Sequence, residues 1–134
     1  MTNLLEAILN NKLTILTLTL GIFLSACGAS GGAAPAVEGY LTALAAKDEA
    51  RLISRSCADW ESEAMLELDS FQLVEVTVEG LSCQSTGNDG NIALVDCQGT
   101  FQMSYDGEPQ ELDLSTRTYE VVSQGGDWLV CGVR

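Results

Sequence analysis

Near Phe71 the spacing of apolar residues changes from a helical period to a strand period, and that change limits the fold more than any other feature. Before it, Val37, Tyr40, Leu41, Leu44 and Ala45 fall three and four residues apart, one apolar stripe along a helix. Pro35 suits the first turn of that helix, where a missing N–H does no harm. Asp48 is placed to cap a second, short helix carrying Leu52 and Ile53. Asp59 is placed to open a third, with Trp60, Ala64, Met65 and Leu68 along one side. Aromatic residues in such stripes point to core packing.

After Phe71 the period is two. Val74, Val76 and Val78 alternate with Glu75, Thr77 and Glu79, as in a strand with one wet face. The run Thr86-Gly87-Asn88-Asp89-Gly90-Asn91 reads as a turn. A second strand is expected from Ile92 through about Tyr105, followed by an Asp106-Gly107 hairpin turn. Leu112, Leu114, Thr116, Thr118 and Glu120 share one face of a third strand, with Tyr119 and Val121 on the other. Gly125-Gly126-Asp127 turns the chain into a last strand, Trp128 to Val133. Helices first and an antiparallel meander afterwards predict an α+β domain with a sheet of about four strands.

Ahead of this domain, Leu13 to Ala26 is uncharged and largely apolar, too short to cross a bilayer comfortably, and Lys12 precedes it. The run ends in Leu24-Ser25-Ala26-Cys27, which resembles the lipobox of bacterial lipoproteins. The resemblance implies a signal peptide over residues 1–26 and a diacylglyceryl thioether on Cys27. After cleavage Cys27 becomes the amino terminus, and two or three acyl chains, palmitate among them, hold the protein stably on a bilayer. Residues 27–35, small and featureless, read as a flexible tether, so residues 36–134 are the expected domain. The expected location is the cell membrane or outer membrane, outside the cytoplasm.

The order of elements resembles the nuclear transport factor 2-like superfamily (cystatin-like, SnoaL-type), and in particular its small lipoprotein domains. The segments that carry the likeness are Val37-Glu38-Gly39-Tyr40-Leu41-Thr42-Ala43-Leu44 and Gly126-Asp127-Trp128-Leu129-Val130. It implies helices lying across a curved sheet, with a cone-shaped space between them. Enzymes of the superfamily place Asp, His or Tyr in that cone. A cone holding buried Asp and Tyr favours an isomerase or cyclase; one filled by Trp60, Phe71 and Trp128 counts against it.

Four cysteines follow the lipobox: Cys57, Cys83, Cys97 and Cys131. An even number in an exported chain points to two disulfides, with three connectivities open. Cys83 and Cys97 flank one hairpin at similar distances from its turn, which favours that pair and leaves Cys57 for Cys131. Zinc ligation needs closely spaced pairs, and there are none. Nor do Asp89-Gly90-Asn91 and Asp106-Gly107-Glu108 supply the ligand series of a calcium loop. No metal or cofactor is expected.

The chain carries 6 Lys plus Arg against 19 Asp plus Glu, a net charge of −13, and no histidine. Such a surface repels nucleic acids, and the commonest general base is missing. No Gly-x-Ser-x-Gly turn or phosphate-binding loop occurs. No catalytic residue is therefore assigned. The expected function is a lipid-anchored, non-catalytic ligand- or protein-binding domain, with a homodimer or an envelope protein as the possible partner besides the bilayer. The alternatives are a pocket enzyme of isomerase or cyclase type and an accessory subunit of an envelope complex.

Overall fold

A computed structural model describes residues Gly31–Arg134. The expected signal peptide and Cys27 of the lipobox-like segment lie outside the described residues, as do residues 28–30 of the expected tether. Three helices come first: α1 (Ala33–Ala45), α2 (Glu49–Ser54) and α3 (Glu61–Ser70). Five strands follow: β1 (Glu75–Asp89), β2 (Ile92–Tyr105), β3 (Glu108–Asp113), β4 (Thr118–Gln124) and β5 (Asp127–Val133). No helix among the described residues is long and apolar enough to cross a membrane.

Helix α1 starts earlier than the tether boundary predicts. Ala33, Ala34 and Pro35 form its first turn, and Ala33 is buried. Its apolar stripe, extended by Ala33 and Ala36, goes into the core, where Val37, Tyr40, Leu41 and Leu44 are fully buried. The helix ends in a Schellman arrangement: Asp48 N–H donates to the Ala43 carbonyl and Lys47 N–H to that of Leu44. Lys47 takes the left-handed conformation there, with φ 56°. Asp48 then caps α2 by accepting from Arg51 N–H at 3.0 Å. The third helix differs from expectation. Trp60, not Asp59, is its N-cap residue, and no side chain caps it.

The sheet is antiparallel in the order β1-β2-β4-β5, and β3 pairs with the far half of β2. Strand β2 is its spine, with β1 along one edge and β4 then β3 along the other. The first hairpin is tighter than the sequence suggests: the ladder runs to Asp89↔Ile92, leaving a two-residue turn at Gly90 and Asn91. The expected third strand is broken. Asp113 accepts from the Ser115 N–H and hydroxyl, at 2.9 and 2.7 Å, and turns Leu114–Thr116 into a single 3₁₀ turn. That detour buries Leu114 completely, and pairing with β2 resumes at Asp96↔Thr118. The result is five strands where about four were expected.

The core lies between the helices and one sheet face. Tyr119, Val121, Val130, Val95, Cys97 and Phe101 meet the α1 stripe there, with Phe71 edge-on to Phe101 at 5.8 Å. Two cysteine pairs tie this arrangement together. Cys83 and Cys97 are direct register partners on β1 and β2, with Cα atoms 4.0 Å apart. Cys57 reaches Cys131 on β5, Cα atoms 5.3 Å apart, beside a short parallel bridge between Ser56 and Val130. With sequence separations of 14 and 74 residues, the two bonds restrict the unfolded chain by about 3 and about 4 kcal/mol on the chain-entropy account.

Candidate functional site

Where α3 passes the junction of the 3₁₀ turn and β4, an open cleft of about 480 Å³ is lined by Trp60, Glu63, Leu66, Glu67, Arg117 and Val133. Helix α3 supplies one wall because its buried face, Ala64 and Leu68, docks on the core, leaving Glu63, Leu66 and Glu67 on the flank. Arg117 follows the 3₁₀ turn that interrupts the expected third strand, so the cleft depends on that interruption.

The floor is a polar network. Trp60 Nε1–H donates to the Tyr40 hydroxyl at 3.3 Å, and Tyr40 donates to Glu67 Oε2 at 3.2 Å. Arg117 Nη1 donates to Glu67 Oε1 at 2.6 Å, so both carboxylate oxygens are engaged. The two side chains are only 31% and 18% exposed, which makes this a charge-assisted contact of real strength rather than a surface pair. Tyr119, whose ring lies 6.4 Å from that of Tyr40, ends close to Arg117. Among the described residues no group meets its buried hydroxyl in full hydrogen-bonding geometry, Arg117 being the nearby donor.

Burial sets the protonation of the tyrosines. It pushes the Tyr119 hydroxyl up to about 12, against a partial lowering by the Arg117 charge. It raises the Tyr40 hydroxyl too, helped by the Glu67 charge and opposed by the Trp60 N–H. Burial alone would lower the Arg117 guanidinium, but Glu67 more than offsets that and raises it. Both tyrosines are thus neutral donors at ordinary pH, and Arg117 stays cationic. The network can orient and hydrogen-bond a bound group. The Glu67 carboxylate accepts on both oxygens, and the exposed Glu63 carboxylate stands on the wall of the same cleft.

Of the residues singled out from sequence, the structure joins Cys57 to Cys131 and Cys83 to Cys97, one of the three connectivities that were open. Cys27 lies outside the described residues. The space between helices and sheet is filled: Phe71 is buried, and Trp60 and Trp128 pack partly buried against the core. No Asp accompanies the two buried tyrosines among the buried residues. Glu67 and Arg117 were not singled out. A signal existed, because a tyrosine on a buried stripe needs a polar partner for its hydroxyl, and Tyr40 lies on such a stripe. Which partner it finds is decided by how α3 crosses α1.

Among the described residues no group of three or more His, Cys, Asp or Glu is arranged to hold a metal ion. No family model matches the sequence, and no curated protein matches it. Among solved structures, the chain is similar to the solution structure of a SEC-C motif containing protein from Rhodopseudomonas palustris. The identity is 12%, the likeness covers 78% of this chain and 80% of that chain, and the TM-score is 0.52. It is a likeness of fold alone.

Proposed function

We propose that this chain is a lipid-anchored bacterial lipoprotein whose folded part is a non-catalytic binding domain of nuclear transport factor 2-like type, displayed outside the cytoplasm. The observation that carries the reading is the division of the cysteines. Four of the five are joined in two pairs, and the fifth is Cys27 of the Leu24-Ser25-Ala26-Cys27 motif. Paired cysteines persist in oxidising compartments, which supports export, and lipidation accounts for the odd thiol. Helices ahead of an antiparallel sheet support the superfamily assignment. The cleft between α3 and β4 supports binding: it offers a Trp60 wall, exposed Leu66 and the Arg117 guanidinium.

One observation favours the enzyme alternative, the two buried tyrosines beside a carboxylate. Against it stand the engagement of both Glu67 oxygens and the exposure to solvent of Glu63, the other carboxylate on the cleft. The test is fractionation of the full chain expressed in a bacterium, compared with Cys27→Ala. The wild-type protein is expected in carbonate-washed membranes with the added mass of acyl chains, and Cys27→Ala in the soluble fraction. Equal recovery of both in membranes would overturn the anchor.

A further inference from the structure

A second groove lies away from the Arg117 cleft, where the end of α3 meets the β2–β3 hairpin. It encloses about 300 Å³ and is lined chiefly by Phe71, Leu73, Val74, Met103, Tyr105 and Gln110. Two of its residues are conspicuous for their exposure. Leu73 is 86% exposed and Tyr105 50% exposed, while most large apolar residues of the domain are buried or half-buried. A protein that leaves a leucine and a tyrosine standing beside an apolar groove loses hydration free energy with no gain in folding.

Both residues sit on hydrogen-bonded backbone rather than on open loops. Leu73 sits in a run of tight turns, with Gln72 N–H donating to the Asp69 carbonyl and Val74 N–H to that of Phe71, both at 3.2 Å. Tyr105 is the last β2 residue before a two-residue turn at Asp106 and Gly107, and it pairs with Glu108. The groove is therefore preformed on rigid elements, which lowers the ordering cost of binding.

Its rim decides the kind of occupant. Asp69 lines the groove, Glu108 is the register partner of Tyr105 and Asp106 follows Tyr105 in the turn, and all three are exposed; Glu75 and Glu111, opposite Ser104 and Gln102, belong to the other face of the sheet. Lys47 is a cation near this end of α3, and it donates to the Gln72 carbonyl at 3.4 Å. An apolar slot in an acidic rim repels an anionic lipid surface and a second copy of an equally acidic chain. It attracts a segment that carries aliphatic side chains between lysines or arginines.

We propose that this groove is the docking surface for a basic, leucine-bearing peptide segment of a partner protein, its aliphatic side chains between Leu73 and Tyr105 and its cations on the acidic rim. This names a partner class for the binding reading and needs neither the lipid anchor nor the Arg117 cleft. The test uses the full chain in micelles of a neutral detergent, with micelles alone as the blank. The probe is a fluorescent peptide of alternating lysine and leucine, and the readout is anisotropy. The double variant Leu73→Ser, Tyr105→Ser, altered only at exposed positions, is expected to bind about tenfold more weakly while keeping the wild-type circular dichroism. Raising salt to 0.5 M and replacing the leucines of the peptide by serine are each expected to weaken binding several-fold.

Unchanged affinity of the double variant would overturn the proposal, as would equal binding of the leucine-free peptide. Loss of binding on Leu66→Ser instead would place the peptide in the Arg117 cleft. That result would overturn the groove assignment and leave the binding-domain reading standing. Tighter association with anionic vesicles than with the peptide, or self-association abolished by the double variant, would identify a membrane or a second copy as the occupant and likewise overturn it.

Discussion

The Tyr119 hydroxyl is carried into the interior near enough to Arg117 for the guanidinium to favour its ionised form, yet among the described residues no group completes a well-aligned hydrogen bond to it. An unpaired buried hydroxyl costs on the order of 1 to 3 kcal/mol. Tyr119→Phe removes the hydroxyl and keeps the ring against Tyr40, so the variant is expected to be as stable as the wild type at neutral pH, or more so by about 1 kcal/mol. The pH dependence follows from the same burial. With the folded value raised to about 12 from 10.0, the stability is fully present below pH 10. It falls as pH rises toward 12, because the unfolded chain ionises first. Tyr40, raised for the same reason, adds to the fall. Urea denaturation at intervals across that window should show a smaller loss in Tyr119→Phe than in the wild type. An identical loss would show that Tyr119 is not held neutral. The sequence marks Tyr40 as an interior position through its period of 3.6, whereas the period of two places Tyr119 only on the strand face opposite Leu112 and Leu114. It does not mark Glu67 or Arg117, whose meeting across 50 residues is fixed only when α3 docks Ala64 and Leu68 on the core.

At the scale of elements, the helices and four of the strand segments could be read from periodicity, and besides the helix starts and the tighter first hairpin the departures fall in the middle of the sheet. There β1 shifts register between Glu79 and Ser82, β2 passes through Gly99 at φ +118°, and the path from β3 to β4 leaves the sheet as the 3₁₀ turn. Gly99 lies against the β1 shift, within van der Waals reach of the Glu79 and Gly80 backbone, and a bulge of this kind twists a strand locally. The 3₁₀ turn buries Leu114. Alternation alone cannot show this, since Leu112 to Glu120 alternates well enough to pass as one strand. The local clue was Asp113-Leu114-Ser115, where an aspartate can accept from the N–H two residues on. Gly99 is the sharpest test of this close approach. A Cβ there would stand 2.7 Å from the Glu79 carbonyl oxygen and 3.0 Å from Gly80 backbone atoms, on a backbone that side chains avoid. Gly99→Ala is expected to cost roughly 2 to 3 kcal/mol in chemical denaturation. Gly87→Ala, on the same hairpin with nothing within 4 Å and no positive φ, is expected to be neutral. Similar losses at both would mean that Gly99 is not tightly placed against the β1 bulge.

For the whole molecule, charge is the largest departure from an ordinary domain. Only Glu6 and Lys12 of the charged residues precede Gly31, so 18 acids face 5 bases on the folded part. Four of those bases are engaged: Arg51 with Asp48, Arg117 with Glu67, Arg134 with Glu120 and Asp89, and Lys47 with the Gln72 carbonyl. Most carboxylates are therefore left to repel one another, at separations where about 0.1 M salt already screens strongly. Added salt acts on two opposed quantities. It weakens the few pairs, of which the exposed Arg51–Asp48 and Arg134–Asp89 contacts are worth little to begin with, and it relieves the repulsion among many acids. The Arg117–Glu67 pair, half-buried, is screened least. The repulsion wins on numbers. The melting temperature is expected to rise by several degrees between 0.02 and 0.5 M sodium chloride at pH 7, in line with a gain of about 1 kcal/mol in a domain of this size. Arg117→Ala is expected to lower the melting temperature at every salt concentration, by leaving Glu67 without its cation. The upward slope with salt should survive in that variant, because the slope belongs to the surface and the offset to the cleft. A melting temperature that falls with salt in the wild type would show that the ion pairs, not the repulsion among carboxylates, dominate the electrostatics of the fold.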